Sequence, residues 1–403
     1  MLTRRLLLAA PAFTTATLAA PSIIRAQSTS APIIIGEINS YTAQPAFTLP
    51  YRNGWQLALD TINSAGGILG RKLEVASRDD AGRPQDAVRI AGELVNDAKA
   101  DLLAGTFLSN AGLAVSDYAL QNKKLFIGGE PLTDALIWDK GNRYTFRLRP
   151  GTYMQSAMLV EEAAKFPGKR WATIAPNYEY GQSAVKWFKQ LLKAKRPDVE
   201  FIAEQWPALG RIDAGATVQA LLADKPDNIF NVTFGADLTN FVRQGNTRGL
   251  FEKRGVASML TGEPEYLAPL GDETPEGWTV TGYPWDTLAT PEHRTFSAAY
   301  KAKFNEDPKC GSVVGYALIN AIAAGIMKSG TTDTEKMADG FPGASFETPF
   351  GRAMFRPQDH QSTLGAFVGK LTLKDGKGTM TDWKYIDGST ALPTDEVVKS
   401  MRP

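Results

Sequence analysis

The 403-residue chain reads as an α/β protein of two doubly wound parallel-sheet lobes. Three observations carry that reading. Apolar runs of strand length alternate with stretches of helical periodicity. After Tyr144-Thr145-Phe146-Arg147-Leu148 the alternation restarts and builds a second unit of similar size. No Ser/Gly-rich linker separates the two, which predicts lobes in contact, joined by short crossings.

In chain order, Ile33-Ile34-Ile35-Gly36 is a continuous apolar run, as in a strand covered on both faces. Trp55, Ala58, Leu59 and Ile62 recur at helical spacing, and Gly66-Gly67 ends that helix. Leu73–Ala76 alternates like a strand. Pro84 suits the first turn of a helix whose apolar face is Val88, Ala91, Leu94 and Val95. Asp101–Ala104 reads as a third strand running into a helix from Ala111, and Leu125–Ile127 as a fourth. In the second unit, helices are expected over 153–165, 182–194, 214–223 and 238–247. Strands are expected at 171–175, 200–205, 228–232 and 257–261. A strand from Trp278 to Tyr283, helices over 292–304 and 313–328, and strands over 365–373 and 383–386 complete the chain.

Composition narrows the function. The chain has 44 basic and 43 acidic residues, 43% hydrophobic and 22% charged. It can bury ample core and shows no basic excess that would mark a nucleic-acid partner. Arg4-Arg5 followed by an apolar stretch from Leu6 to Ala20, with Ile24-Arg25-Ala26 before Gln27, predicts an export signal over 1–26, twin-arginine or general secretory. Its removal takes three arginines and no acids, leaving 41 basic against 43 acidic residues. No second apolar run of spanning length is expected. Cys310 is the single cysteine, read as a packing residue, and no thiol near the signal offers a lipid anchor.

Catalytic motifs are missing. Two histidines, His293 and His360, are far apart in sequence. There is no H-E-x-x-H, no cysteine pair, no G-x-S-x-G and no EF-hand loop. Gly365–Leu371 approaches a phosphate loop but has three residues between its glycines, and Leu371 stands where a Ser or Thr must meet magnesium. It reads as a strand, and no cofactor or metal is expected.

Binding chemistry is better represented. Ligands of open parallel sheets sit beyond the carboxyl ends of the strands. The loops 36–52, 78–83, 105–110, 128–133, 175–181, 233–237 and 261–266 are therefore the candidates. Gly105-Thr106-Phe107-Leu108-Ser109-Asn110 leads into a helix whose free N–H groups, with the Ser109 hydroxyl, can cradle a carboxylate. Equally, Ser109 can simply cap its own helix. Glu263 lies just past a strand and can meet an ammonium group, or stay a solvated loop charge. Tyr180, before Gly181, and Phe234 offer ring walls, or serve as core.

These pieces together resemble the periplasmic branched-chain amino-acid-binding proteins, soluble receptors of ABC importers with a two-lobed type I periplasmic binding fold. The resemblance rests on Ile62-Asn63, Gly66-Gly67-Ile68, Gly70, Asp79-Asp80, Pro84 and Ala87 within 54–95, then on "DLLAGTFLSN", "NYEYGQSA" and "FVRQGNTRGL". It implies lobes over 31–146 with 284–352, and over 147–283 with 353–403, joined by three crossings. It further implies a carboxylate on Ser109, rings at Tyr180 and Phe234, an ammonium on Glu263, and a bulky ring at the mouth near Phe47 in the first loop. Phe107 and Asn110 flank that serine. The family's threonine after the fourth strand aligns near Thr133, where Gly129-Glu130-Pro131-Leu132-Thr133 brings Glu130 as an extra acid. A disulfide of some members would fall on Gly82 and Leu108. The expected function is an exported periplasmic receptor that delivers a small ligand to a membrane permease. An aliphatic amino acid leads; an amide or an aromatic or other organic acid follows. An exported hydrolase using Glu130 and Glu263 is the alternative from another class. The export signal and the lack of a basic helix-turn-helix oppose a DNA-binding regulator.

Overall fold

A computed structural model describes residues 31–402. The expected signal at 1–26 lies outside them. The first sheet is built from β1 (Ile33–Asn39), α1 (Pro45–Ser64), β2 (Leu73–Asp79), α2 (Pro84–Asn96), β3 (Leu102–Gly105), α3 (Ser109–Asn122), β4 (Phe126–Gly128) and β5 (Thr145–Arg147). Its order is β2-β1-β3-β4-β5, with every pairing parallel.

The chain then crosses at 148–151 and builds the second unit. Its elements are α4 (Thr152–Ala163), β6 (Arg170–Ile174), α5 (Glu179–Lys195), β7 (Glu200–Gln205), α6 (Ala214–Asp224), β8 (Asn228–Asn231), α7 (Gly235–Thr247), β9 (Gly255–Gly262), α8 (Pro264–Leu267) and β10 (Thr279–Gly282). It returns through 283–290 to α9 (Pro291–Phe304), α10 (Cys310–Ser329), α11 (Thr334–Gly340) and the hairpin β11 (Ser345–Thr348) to β12 (Gly351–Met354). A third crossing over 355–365 leads to β13 (Ala366–Lys374), β14 (Lys377–Ile386) and α12 (Asp395–Met401). The second sheet runs β14-β13-β10-β9-β8-β6-β7.

The type I architecture with three crossings is thus observed. The second sheet is mixed rather than wholly parallel, because β13 and β14 form an antiparallel hairpin on its edge. Short elements escaped the sequence: α8, α11, α12 and the β11–β12 hairpin are too brief for a clear period. The tail does not stay with the second sheet. Val398 of α12 shares a cluster with Ile137 and Trp138, and Arg402 donates to the carbonyl of Asn142.

One packing feature positions the cleft. Helices α1 and α10 lie backbone to backbone. A Cβ on Gly54 would stand 2.0 Å from the Ser312 carbonyl oxygen, and one on Gly315 2.0 Å from that of Tyr51. Gly311 makes the same approach to Phe47, at 2.3 Å. Four-residue spacing puts Gly311 and Gly315 on one helix face. Of the described residues, α10 alone has the length and hydropathy of a membrane span, contrary to the expectation of none. Its apolar faces are buried inside the protein, as befits a core helix.

Candidate functional site

The loops beyond the carboxyl ends of both sheets converge on one small cavity. From the first sheet come Phe107 and Ser109 after β3, and Glu130 and Leu132 after β4. The second contributes Tyr178 and Tyr180 after β6, Phe234 after β8, and Leu260 near the end of β9. Arg149, in the first crossing, completes the lining. A larger recess beside α8 and the β13–β14 hairpin, lined by Lys374 and Lys377, takes no residue from the loops after β3, β4, β6 or β8.

The walls are aromatic. The Phe107 ring lies 5.4 Å from Phe47 and 6.1 Å from Phe234. Phe234 meets Tyr180 at 5.8 Å and 71°, and Tyr266 at 6.3 Å. Such tilted and edge-on pairs are favourable ring geometries. The rim carries backbone strain. Thr106 (φ 59°) and Leu260 (φ 68°) hold left-handed conformations without being glycine, at a cost of about 1–3 kcal/mol each.

Ser109 begins α3, but Leu108 is its N-cap and no side chain caps the helix. The Ser109 oxygen instead accepts from the N–H groups of Leu132 and Thr133, both at 3.2 Å. This ties the loop after β4 to the helix tip. No acceptor among the described residues takes the hydroxyl's own hydrogen.

Sequence reasoning does not reach Arg149, because the segment after β5 is not among the candidate loops. Its guanidinium donates to Glu130 Oε2 at 2.9 Å and to Glu263 Oε1. It also lies over Phe47, 5.2 Å from the ring centroid. All three charged side chains are buried. Glu130 Oε1, Glu263 Oε2 and the hydroxyls of Tyr51, Tyr180 and Tyr266 are buried without a protein partner among the described residues. Orphaned polar atoms on this scale are rare in a finished core and mark a place where polar chemistry is used. Burial pushes the Glu130 carboxyl up to about 7 against the pull of Arg149. It also pushes the Cys310 thiol up, so Cys310 packs as a neutral thiol.

Other expected residues are placed differently. Glu263 lines not this cavity but its neighbour, with Cys310, Thr281 and Phe350, and Arg149 is the residue common to both. Phe47 sits in the first turn of α1 rather than in a loop, because β1 extends to Asn39 and Pro45 starts the helix early. Asn110 turns its amide oxygen back to the Ala111 N–H. Thr133 donates to Glu179 Oε1 at 2.6 Å and accepts from the Ala135 N–H. Gly82 and Leu108 lie side by side, a Cβ on Gly82 falling 3.5 Å from a Leu108 methyl.

Behind the site, Glu37 of β1 accepts from Ser77 Oγ at 2.6 Å and Tyr41 Oη at 3.0 Å. Burial raises its carboxyl from 4.5 to about 7, with Arg52 opposing. Between those values the folded chain holds a proton that the unfolded chain has released, so stability falls as pH rises through this window. Glu37→Gln removes that loss. It is expected to be more stable than the wild type at pH 8 by on the order of 3 kcal/mol, with little difference at pH 4.5. Urea unfolding at both pH values checks this.

The profile of the periplasmic binding protein family matches residues 32–377. The chain belongs to the periplasmic binding protein family. Among curated relatives, a leucine-, isoleucine-, valine-, threonine- and alanine-binding protein of Pseudomonas aeruginosa is 26% identical over 75% of this chain and 80% of its own. A Leu/Ile/Val-binding protein of Rhizobium johnstonii is 26% identical over 85% and 92%. Among solved structures, a solute binding protein of an ABC transporter from Rhodopseudomonas palustris, in complex with 3,4-dihydroxybenzoic acid, superposes with a TM-score of 0.80. It shares 24% identity over 89% of this chain and 98% of that one. A branched-chain amino acid transporter substrate binding protein from Streptococcus pneumoniae, in complex with isoleucine, gives 0.75 at 20% identity, over 88% and 99%. This periplasmic binding protein is accordingly a binder and not an enzyme. The hydrolase alternative also loses its pair of free acids, since Glu130 and Glu263 share one guanidinium.

Proposed function

We propose that the protein is the exported receptor of an ABC importer, closing two lobes over a small carboxylate and presenting it to a membrane permease. The observation that carries this reading is the cavity itself: two hydrogen-bond donors, Ser109 and Arg149, face a lining of rings and aliphatic side chains drawn from both sheets, whose one acid, Glu130, is paired with Arg149. Donors of this kind make charge-assisted bonds to an anion, while the rings take a compact apolar body. The ligands named for the two solved structures, isoleucine and 3,4-dihydroxybenzoate, share that plan: one carboxylate on a small apolar frame. Branched-chain amino acids and aromatic or other organic acids both fall within it.

Closure follows from the topology. The lobes, 31–146 with 284–352 and 147–283 with 353–403 apart from the returning tail, turn as bodies about the three crossings. Hinged closure of this kind expels water and strengthens each polar contact inside. Contacts between the sheets, such as Thr133 on Glu179 and Glu265 on the Gly311 N–H at 2.6 Å, support the closed arrangement.

A thermal-shift screen of amino acids, aliphatic acids and benzoates tests the reading. A carboxylate at a hundred times its dissociation constant is expected to add about 2.7 kcal/mol of stability. No shift from any carboxylate would sink it. Ser109→Ala is expected to weaken the ligand found by about 10- to 150-fold, the worth of one charge-assisted bond, read by isothermal titration.

A further inference from the structure

Resting on the carboxylate-receptor reading, we infer that Arg149 sets the specificity of the cleft: it screens Glu263 from the ligand, so the site takes carboxylates that lack an α-amino group and rejects the matching amino acids. The two cavities show the arrangement. Arg149 lines both, while Glu263 lines only the far one. The acid suited by position to hold a ligand's ammonium already holds a guanidinium, and that guanidinium also grips Glu130 from the opposite sheet.

Displacing it is costly. The Arg149 side chain is 7% exposed, with Glu130 and Glu263 at 1% and 3%. An ammonium reaching Glu263 would have to strip a buried cation of a partner, and an uncompensated buried charge is strongly unfavourable. Nor can the arginine easily withdraw. Its backbone carbonyl accepts from Gln361 Nε2 at 3.1 Å, and Pro150 follows it.

Toward the ligand, a bare acid is therefore replaced by a guanidinium paired with Glu130 and Glu263. An ammonium placed beside Arg149 meets a like charge, a built-in rejection, while a carboxylate meets two donors. Glu130 also faces the cavity, but one of its oxygens is committed to Arg149. Burial raises its carboxyl, which eases the approach of an anion.

Matched pairs that differ only in the α-amino group test this by isothermal titration at pH 7: 4-methylpentanoate against leucine, and phenylacetate against phenylglycine, with benzoate as a fifth probe. The acid without the amine is expected to bind at least about tenfold tighter than its partner. Glu263→Gln, which takes one negative charge from beside Arg149, is expected to leave the acid bound at least as tightly. Arg149→Gln is expected to weaken the acid by at least about tenfold and to narrow or invert the preference within each pair. Leucine or phenylglycine binding as tightly as its partner overturns the inference, as does loss of acid binding in Glu263→Gln. Should Arg149→Gln fail to fold, the matched pairs and Glu263→Gln still decide. Binding of none of the five probes counts against the carboxylate-receptor reading itself; binding of the amino acids counts against this inference alone.

Discussion

Gly315→Ala is expected to destabilise the protein by more than about 3 kcal/mol, toward the upper end of overpacking effects. The added methyl would stand 2.0 Å from the Tyr51 carbonyl oxygen and 2.9 Å from the Trp55 nitrogen. Both are backbone atoms in the middle of α1, so no rotamer change relieves the clash and the helices must part. Parting them moves Phe47, which packs against Phe107 and Arg149, so ligand affinity is expected to fall with stability. Gly92→Ala supplies the contrast. It lies in α2, where the nearest atom to a new Cβ is the Tyr118 hydroxyl at 3.9 Å. There the helix-propensity gain of about 0.5–1 kcal/mol is expected to appear as added stability. Urea unfolding of both variants beside the wild type checks the pair.

Arg147→Met is expected to cost about 3–5 kcal/mol, the usual result of removing one partner from a buried ion pair. Arg147 is fully buried. It donates to the carbonyls of Leu132 (3.0 Å) and Thr133 (2.6 Å), to Asp134 Oδ1 and to Gln361 Oε1. Asp134 Oδ2 in turn accepts from Thr152 Oγ1 and the Tyr153 N–H, both at 2.6 Å. One side chain thus joins the loop after β4, the start of α4 and the third crossing. The same loop gives Ser109 its two N–H donors, so the variant is expected to bind ligand more weakly as well. Asp134→Asn in the Arg147→Met background removes the stranded charge. The double variant is expected to be less damaged than the two single losses added together.

The architecture was open to sequence reasoning because its elements are long and regular. Ile33–Gly36, the Trp55–Ile62 spacing and the Pro84 start each carry a strong local period, and helices and strands lie where those periods put them. Short elements such as α8 and the β11–β12 hairpin lack one. The end of β1 was misjudged because Glu37 and Asn39 look like loop residues; both are fully buried in the strand, where Ser77 and Tyr41 satisfy one Glu37 oxygen. At the site, the strand-end rule reached Phe107, Ser109, Glu130, Tyr180 and Phe234, because each follows a strand directly. It could not reach the pairing of Arg149 with Glu263, 114 residues apart in the chain. A lone arginine after a strand carries no period and no motif. Only the fold brings it between two acids and so changes what the cleft offers a ligand.

The central claim is that a small carboxylate lies between the sheets with its charge on Ser109 and Arg149. A crystal structure of the protein grown with benzoate tests it most directly. The account predicts carboxylate oxygens about 3 Å from the Ser109 hydroxyl and the Arg149 guanidinium, with the ring among Phe107, Tyr180 and Phe234. Benzoate seated instead in the recess against Lys374 and Lys377, or turned with its carboxylate away from Ser109 and Arg149, would contradict it.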